Sequence, residues 1–286
     1  MLSSQPPIAI AESLLAVFQP DHEFFTPLPP PEPGDWLAEH WETGQTFEQF
    51  VEASPPSPDN VRNILYLQPL EQFIADQSPP LTILLDYIQV YFSMPAQLVH
   101  VLVEDEAFTT RVNPYTTTRQ VLTTDILASL KHYLPVDAFC VLAVTMQDLY
   151  PDPLWNFVFG QASLEDRVAV FSFARYDPAF YGIPRDEGYR TILLRRCCKV
   201  VIHEIGHLFG LPHCLFYSCS MNGSNHLQES DARPMHLCPV CLRKLHHSIG
   251  FDVIDRYFDL FQFYQQVGFA EEARWVQRRL ESLTKR

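Results

Sequence analysis

Between Val201 and Met221 the sequence reads VIHEIGHLFGLPHCLFYSCSM. This stretch contains three histidines, one glutamate and two cysteines, and His213 directly precedes Cys214. Histidine and cysteine are the side chains that zinc prefers in proteins. Their density therefore indicates a metal site, and the adjacent pair suggests that two sites meet here.

His203 and His207 are four residues apart within Tyr189–Phe209, whose pattern predicts one long helix. At roughly 100° per residue they lie about 40° apart on the same face, so both imidazoles can bind one ion at about 2.1 Å. Glu204 lies at the edge of that face. Its carboxylate is better placed to contact a metal-bound water than the metal.

The helix is predicted to end at Gly210, because glycine tolerates the left-handed conformation and Pro212 cannot continue a helix. The chain can then return His213 to the ion as a third nitrogen ligand. Three protein ligands leave one zinc position for water, which is typical of a catalytic site. Zinc lowers the pKa of that water to about 7, and we expect Glu204 to be the general base that takes its proton. An isolated HExxH can occur by chance on a solvated helix face, but the complete HExxHxxGxxH string favours the zinc site.

Four cysteines predict a second metal site. They form two close pairs, Cys214 with Cys219 and Cys238 with Cys241, and the second pair is a C-P-V-C knuckle. Four thiolates fill a tetrahedral shell, so this zinc would be structural. Disulfide pairing is the alternative, and reducing conditions make it the less favoured one. Since neighbouring side chains of an extended segment point to opposite sides, His213 can face the catalytic ion while Cys214 faces the second.

Composition and charge restrict the class of protein. The chain has 286 residues, 47% of them hydrophobic, which is enough for one sizeable globular core. Its net charge of −14 argues against a nucleic-acid partner, because phosphate binding needs a basic surface. We read no signal peptide at the N-terminus and no apolar run long enough to span a membrane. Seven cysteines in such a chain are expected to be thiols or metal ligands, which predicts a cytosolic or nuclear location.

The sequence predicts a Pro-rich N-terminal extension over residues 1–60 and one domain over residues 61–286. The predicted strands are Leu98–Val103, Ala138–Val144, Phe157–Ala162 and Val168–Phe173. The predicted helices are Leu81–Phe92, Arg119–Leu134 and Tyr189–Phe209, with short helical patches at Ala11–Val17 and Asp35–Phe50 and a mostly helical tail from Cys241 to Leu283. This order predicts an α+β fold (α/β mixed), with helices packed against a mixed β-sheet.

The string HEIGHLFGLPH, followed by Met221, resembles the metzincin metalloproteases, in which a Met-turn follows the zinc helix. Three further features are similar to the archaemetzincin family: a cysteine directly after the third histidine, Cys219 two residues before Met221, and the later CPVC. The stretches NFVFGQASLEDRVAVFSFARY and CSMNGSNHLQESDARPMHLCPVCLRKL also resemble that family. The likeness extends from about Leu81 to Ile249.

This resemblance implies a metzincin-like catalytic domain with a zinc-binding active-site helix, a Met-turn and a helical C-terminal part. It implies two zinc ions, one on the three histidines above Met221 and one on the four cysteines, with Glu204 as general base. It further implies a peptidase with peptide substrates, and aminopeptidase activity is attributed to vertebrate members. Phe157–Ala162 would then be the edge strand above the cleft. One departure is Gly223, which stands where some metzincins have a tyrosine.

A different class of function remains as the alternative, namely a zinc-stabilised binding module whose protease site is vestigial or very slow. The intact Glu204 favours the peptidase, because no structural role explains a glutamate at that position.

Overall fold

A sheet of mostly parallel strands forms the centre of one of the two units into which the chain divides. Unit 1 comprises Met1–Ser54 and His213–Arg286, and unit 2 comprises Pro55–Pro212. The computed structural model describes residues 17–99 and 108–284. The domain boundary expected at residue 60 stays a prediction.

The described residues form nine α-helices and eight strands. The helices are α1 (Trp36–Glu39), α2 (Phe47–Glu52), α3 (Leu81–Phe92), α4 (Thr123–His132), α5 (Tyr189–Leu208), α6 (Leu227–Ala232), α7 (Pro239–Ile249), α8 (Val253–Gln266) and α9 (Ala270–Thr284). The strands are β1 (Ile64–Pro69), β2 (Ala96–Leu98), β3 (Thr110–Val112), β4 (Arg119–Leu122), β5 (Ala138–Thr145), β6 (Asp148–Tyr150), β7 (Gly160–Ser163) and β8 (Val168–Ser172).

All eight strands belong to unit 2. Five of them form the main sheet, in the order β2-β1-β5-β8-β7. Its first four strands run parallel, and β7 pairs antiparallel with β8 at the end of the sheet. All eight residues of β5 are buried, as expected for a central parallel strand that is covered on both faces. A smaller sheet has the order β3-β4-β6.

Helix α4 packs against β7 and β8 and contributes to the core of unit 2. The apolar side chains of this core include Val121, Ile126, Leu130, Val141, Ala143, Val168 and Val170. Most of them are β-branched residues on strands, where such side chains pack well. The main sheet is therefore a rigid support for the helices that pack on it.

Helix α5 carries the first two predicted ligands, and it packs against α3 and against strands β5, β7 and β8. It ends at the predicted place, because Gly210 takes the left-handed conformation with φ +80°. Phe209 is fully buried, with its ring stacked 4.2 Å from that of Phe139 and 5.4 Å from that of Phe92. This stacking fixes the end of α5 against the core of unit 2.

Unit 1 is helical in its described part. Helix α2 begins with a capping box, in which Thr46 and Gln49 exchange side-chain and backbone hydrogen bonds, and it packs against α7. Helix α7 is capped at its N-terminus by Cys238, whose sulfur accepts a hydrogen bond from the backbone N–H of Cys241, and at its C-terminus by Gly250 with φ +82°. Helices α8 and α9 pack against each other.

Most predicted elements are confirmed, and two differ. The helix predicted over Arg119–Leu134 is wrong in its first turn, where Arg119–Leu122 forms β4 because it pairs with both β3 and β6. The strand predicted over Phe157–Ala162 is shifted to Gly160–Ser163. The prediction for Leu98–Val103 lies outside the described residues from His100 onward, and so does that for Ala11–Val17 before Val17.

Candidate zinc sites

The two histidines of α5 face each other across one helical turn. Their Nε2 atoms are 3.0 Å apart, which is close to the separation of about 3.4 Å that follows from two Zn–N bonds of about 2.1 Å at a tetrahedral angle. The Nδ1 atom of His207 lies 2.7 Å from the carbonyl oxygen of Leu211. Because a carbonyl only accepts, Nδ1 carries the proton and Nε2 is left with the lone pair that binds a metal.

His213 lies five residues beyond Leu208, the last residue of α5, and is the first residue of unit 1. The HExxHxxGxxH string assigns to one ion His203 and His207 of unit 2 together with His213. These are the three predicted nitrogen ligands. We call them the histidine group.

A carboxylate that the sequence reasoning missed contacts His213. Oε1 of Glu42 lies 2.8 Å from Nδ1 of His213, and the same oxygen accepts a hydrogen bond of 2.8 Å from Nε1–H of Trp36. A carboxylate oxygen that accepts two N–H bonds fixes the tautomer of His213 with the proton on Nδ1. Nε2 is then the nitrogen available to an ion.

Glu204, the predicted general base, follows His203 on α5 and is half-buried. Glu204 is not among the residues grouped as possible metal ligands. Met221 is buried, and its carbonyl oxygen accepts the backbone N–H of Cys214 at 2.8 Å.

The four predicted sulfur ligands also come together. The sulfur atoms of Cys214, Cys219, Cys238 and Cys241 are all buried and lie within 4.8 Å of one another. We call them the cysteine cluster. The sulfurs of Cys214 and Cys238 are 3.5 Å apart, which is far longer than a disulfide bond of about 2.05 Å. It is near the separation of about 3.8 Å expected for two Zn–S bonds of about 2.3 Å.

The chemistry of the cysteine cluster fits a soft cation. Hydrogen bonds from the other thiols, first that of Cys219, lower the pKa of Cys214. Burial raises the pKa of Cys219, and the hydrogen bond with Cys214 raises that of Cys241. A zinc ion bound there would stabilise all four thiolates.

The loop that joins the two groups is held by Asn222, a residue that sequence reasoning did not identify. Its amide nitrogen donates to the carbonyl oxygens of Cys214 at 2.7 Å and Tyr217 at 2.9 Å. Its side-chain oxygen accepts the backbone N–H of Cys219 at 2.7 Å. The next residue, Gly223, lies under the ring of Trp36, and a Cβ atom there would come within 2.5 Å of that ring.

A third group of possible ligands, Asp35, His226 and Glu229, is explained by hydrogen bonds within the protein. Nε2–H of His226 donates to Asp35 at 3.1 Å, while its Nδ1 accepts the backbone N–H of Glu229 at 3.2 Å. The Glu229 carboxylate accepts the backbone N–H of Trp36 at 3.1 Å. These bonds tie α1 to the start of α6.

Within residues 17–99 and 108–284, none of the helices combines the length and the apolar composition needed to cross a lipid bilayer.

Known proteins similar to this chain were found by sequence and by structure. The profile of Peptidase family M54 matches residues 67–247. Archaemetzincin-2 of Macaca fascicularis and that of Homo sapiens are each 41% identical to this chain, and each match covers 84% of this chain and 74% of the relative. Two solved structures are 27% identical with a TM-score of 0.50: a zinc-dependent peptidase from Methanocorpusculum labreanum and an archaemetzincin from Methanopyrus kandleri. They cover 63% and 67% of this chain and 99% and 97% of their own chains.

Proposed function

The chain belongs to peptidase family M54, the archaemetzincins, and on that premise we propose which of its residues carry out zinc-dependent peptide hydrolysis. It is a zinc metallopeptidase with peptide substrates. The proposal places zinc on the histidine group and assigns the general base to Glu204. The observation that carries it is the 3.0 Å separation of the Nε2 atoms of His203 and His207, with an intact glutamate next to His203 in the sequence.

Each residue of the proposed site has a separate task. Nε2 of His203, His207 and His213 would hold the metal, and the Leu211 carbonyl and the Glu42 carboxylate keep two of these rings in the required tautomer. Zinc bound there would supply a Lewis acid that polarises the scissile carbonyl and acidifies water. Glu204 would take a proton from the attacking water and deliver it to the departing amine.

The end strand of the main sheet supports a binding mode for the peptide. Strand β7 is the last strand of its sheet in the described residues, and α5 packs against it. An extended peptide can pair with such an edge through main-chain hydrogen bonds. We therefore propose that the substrate lies along Gly160–Ser163 in an extended conformation.

Action at the amino terminus of the peptide is the finer part of the proposal. The net charge of −14 favours the approach of a protonated amine, and the archaemetzincin resemblance supports aminopeptidase activity. Matched peptides with free and acetylated amino termini test it. Release of single residues from the free peptides alone is expected. Internal cleavage of the acetylated peptides would contradict the aminopeptidase assignment and leave the peptidase assignment intact.

The central experiment compares the zinc-loaded wild type with Glu204→Gln in digests of a peptide library. Loss of a general base is expected to lower kcat by about 100-fold or more. Glu187→Gln is the matched control, because Glu187 is exposed and lies outside the histidine group. Full activity of Glu204→Gln would mean that a contaminating protease cuts the peptides and that the mechanism is wrong.

We also propose a second zinc on the cysteine cluster, with a structural task. His213 and Cys214 are adjacent, so one peptide unit joins the two sites. Cys238→Ser is therefore expected to reduce both the zinc content and kcat, although Cys238 is not in the histidine group. Cys140→Ala, a cysteine outside the cluster, should keep both zinc ions. Unchanged zinc content and kcat in Cys238→Ser would refute the coupling.

A further inference from the structure

Residues Asp35–Phe50, which we call the N-terminal brace, lie before the part of the chain that the family profile matches. The sequence indicated a Pro-rich extension there. In the structure, the brace contacts the loop and the helix that hold the metal-binding residues of unit 1. Glu42 contacts His213, Trp36 covers Gly223, and Gln45 binds Lys244 of α7. These contacts raise the question of what the brace does for the histidine group.

The orientation of Trp36 is fixed from several sides. Its backbone N–H donates to the Glu229 carboxylate, and its ring lies 4.0 Å from the ring of His40. The centre of its ring lies 5.1 Å from that of the His213 ring, and the two rings are close to perpendicular, at 83°. The absence of a side chain at Gly223 gives the ring room to lie there. Trp36 therefore directs its Nε1–H at Glu42 from a fixed position.

One carboxylate oxygen of Glu42 accepts hydrogen bonds from two side chains. Trp36 donates to Oε1, and the same oxygen receives Nδ1–H of His213. Both donors are 2.8 Å away, and the Glu42 side chain is 27% exposed. A partly desolvated carboxylate strengthens its hydrogen bonds and raises the electron density on the imidazole. The far nitrogen of His213 then becomes a better metal ligand, with the ring locked in one orientation.

The other end of the brace is anchored on α7. Nζ of the buried Lys244 donates to the backbone and side-chain oxygens of Gln45. The guanidinium of Arg243 lies 3.8 Å from the ring centre of Phe47. Lys244 and Arg243 follow Cys241 on the same helix. The segment between Trp36 and Phe47 is thus fixed at both ends, with Glu42 between them.

We propose that Glu42 is a positioning residue of the zinc site, which sets the tautomer and orientation of His213 and slows the loss of zinc from the histidine group. This inference rests on the proposed function for the identity of the ligands. Glu42 lies outside residues 67–247, the part of the chain that the family profile matches. Removal of the hydrogen-bond partner of a ligating histidine typically lowers metal affinity by about 10–100-fold.

The experiment measures zinc affinity, by competition with a chelator, in full-length wild type, Glu42→Ala, Glu42→Gln and Glu52→Gln. Glu42→Ala is expected to lower the zinc affinity of the histidine group by about 10–100-fold, while zinc stays bound to the cysteine cluster. Glu42→Gln should lose less zinc affinity, because its amide oxygen still accepts the hydrogen bond from His213 but carries no charge. Glu52 is exposed and lies after the brace, so Glu52→Gln should match the wild type.

A spectroscopic readout separates positioning from a merely structural effect. In zinc-loaded protein with labelled histidine, NMR should show a hydrogen-bonded Nδ1 proton of His213 in the wild type and in Glu42→Gln, and its loss in Glu42→Ala. Where turnover is measurable, kcat should fall in Glu42→Ala with KM little changed. If Glu42→Ala does not fold, Glu42→Gln carries the test, with an expected loss of a few-fold in affinity.

Two results would overturn the inference. One is wild-type zinc affinity in Glu42→Ala, or in Glu42→Gln if the alanine variant does not fold. The other is an unchanged Nδ1 signal of His213 in the alanine variant. The proposed function fails separately: a wild type that binds zinc on the histidine group and cuts no peptide would leave the role of Glu42 testable by affinity alone.

Discussion

Gly223→Ala should lower the stability of the protein, because the added methyl group would clash with the ring of Trp36. A Cβ atom at position 223 would lie 2.5 Å from Cδ1, 2.7 Å from Cγ and 2.9 Å from Nε1 of Trp36. Ordinary contacts between carbon atoms are about 3.5–4.0 Å, so the indole must move by about 1 Å. It cannot swing freely, because Nε1–H is bonded to Glu42 at 2.8 Å and the ring packs on His40.

The expected magnitude follows from these two facts. Overpacking a well-filled site costs about 1–3 kcal/mol. A shift of about 1 Å also stretches the Trp36–Glu42 hydrogen bond beyond bonding range. Since the packing and hydrogen-bond losses come from one movement, we expect a single loss of about 2 kcal/mol in the free energy of unfolding. Gly188→Ala is the matched control, because Gly188 is exposed and its nearest neighbour, an oxygen of Asp186, is 3.6 Å from the added atom.

A double-mutant cycle in urea unfolding isolates the contact. Trp36→Ala removes the ring, so Gly223→Ala made in that background should cost less than about 0.5 kcal/mol. The coupling free energy between the two positions should then be about 1–3 kcal/mol. If Gly223→Ala is equally destabilising with and without the indole, the clash with Trp36 is not its cause. The explanation for the glycine at this position would then be wrong.

The remaining predictions concern unit 2 and the thiols. Phe209→Ala should lower the free energy of unfolding by about 3–5 kcal/mol, because its ring is fully buried between two other rings, and a loss under 1 kcal/mol would contradict that packing. Asp148→Ala should lower the free energy of unfolding by about 3–5 kcal/mol, because it leaves the buried guanidinium of Arg175 without its carboxylate partner. The two hydrogen bonds between these side chains are 2.7 and 2.8 Å long. A urea midpoint like that of the wild type would refute this prediction. Leu154→Ala, at a site 95% exposed, is the control for both and should change stability by less than about 0.5 kcal/mol. Chelation of zinc should loosen the loop from His213 to Cys238 and so make four more thiols reactive toward iodoacetamide, while Cys140, which is buried in β5 and whose pKa burial raises, stays unmodified. An equal number of modified thiols before and after chelation, counted by mass spectrometry, would argue against zinc on the cysteine cluster.

Local patterns were sufficient for the parts of the fold that position the first two ligands. The predicted helix Tyr189–Phe209 and the observed α5 differ by one residue, because periodicity and the Gly210 stop signal are both local. The predicted fold class, an α+β arrangement with a mixed sheet, is confirmed. Strand β5 was also predicted to within one residue, since a continuous apolar run is typical of a buried parallel strand.

Long-range pairing explains the errors. Arg119–Leu122 continues into a helix without a break in the apolar pattern, and only its pairing with β3 and β6 makes it a strand. Likewise, the start of β7 is set by its register on β8, where Gly160 opposes Phe171. The residues of β4 and β7 do not by themselves indicate which strands they pair with. Local propensity is a weak guide at such positions.

The contacts of the site that sequence reasoning missed are also long-range. Glu42 is 171 residues from His213, and an acidic residue in a Pro-rich segment carries no local sign of its role. One signal was present in the sequence. Gly223 stands where some metzincins have a tyrosine, and a missing side chain beside a metal site indicates that another group fills the space. That group is Trp36.

The loop from His213 to Cys238 explains why a catalytic ligand depends on so many distant residues. It contains one short helix, α6, and Asn222 satisfies its backbone groups in place of regular structure. Ordering such a loop costs roughly 1–2 kcal/mol of backbone entropy per residue. Zinc on the cysteine cluster would offset part of that cost, since zinc binding contributes about 10–16 kcal/mol in zinc-finger peptides. The backbone of His213 would thus be fixed by its neighbour in the cluster and its ring by Glu42, so Cys238→Ser and Glu42→Ala should weaken the same ion by independent routes.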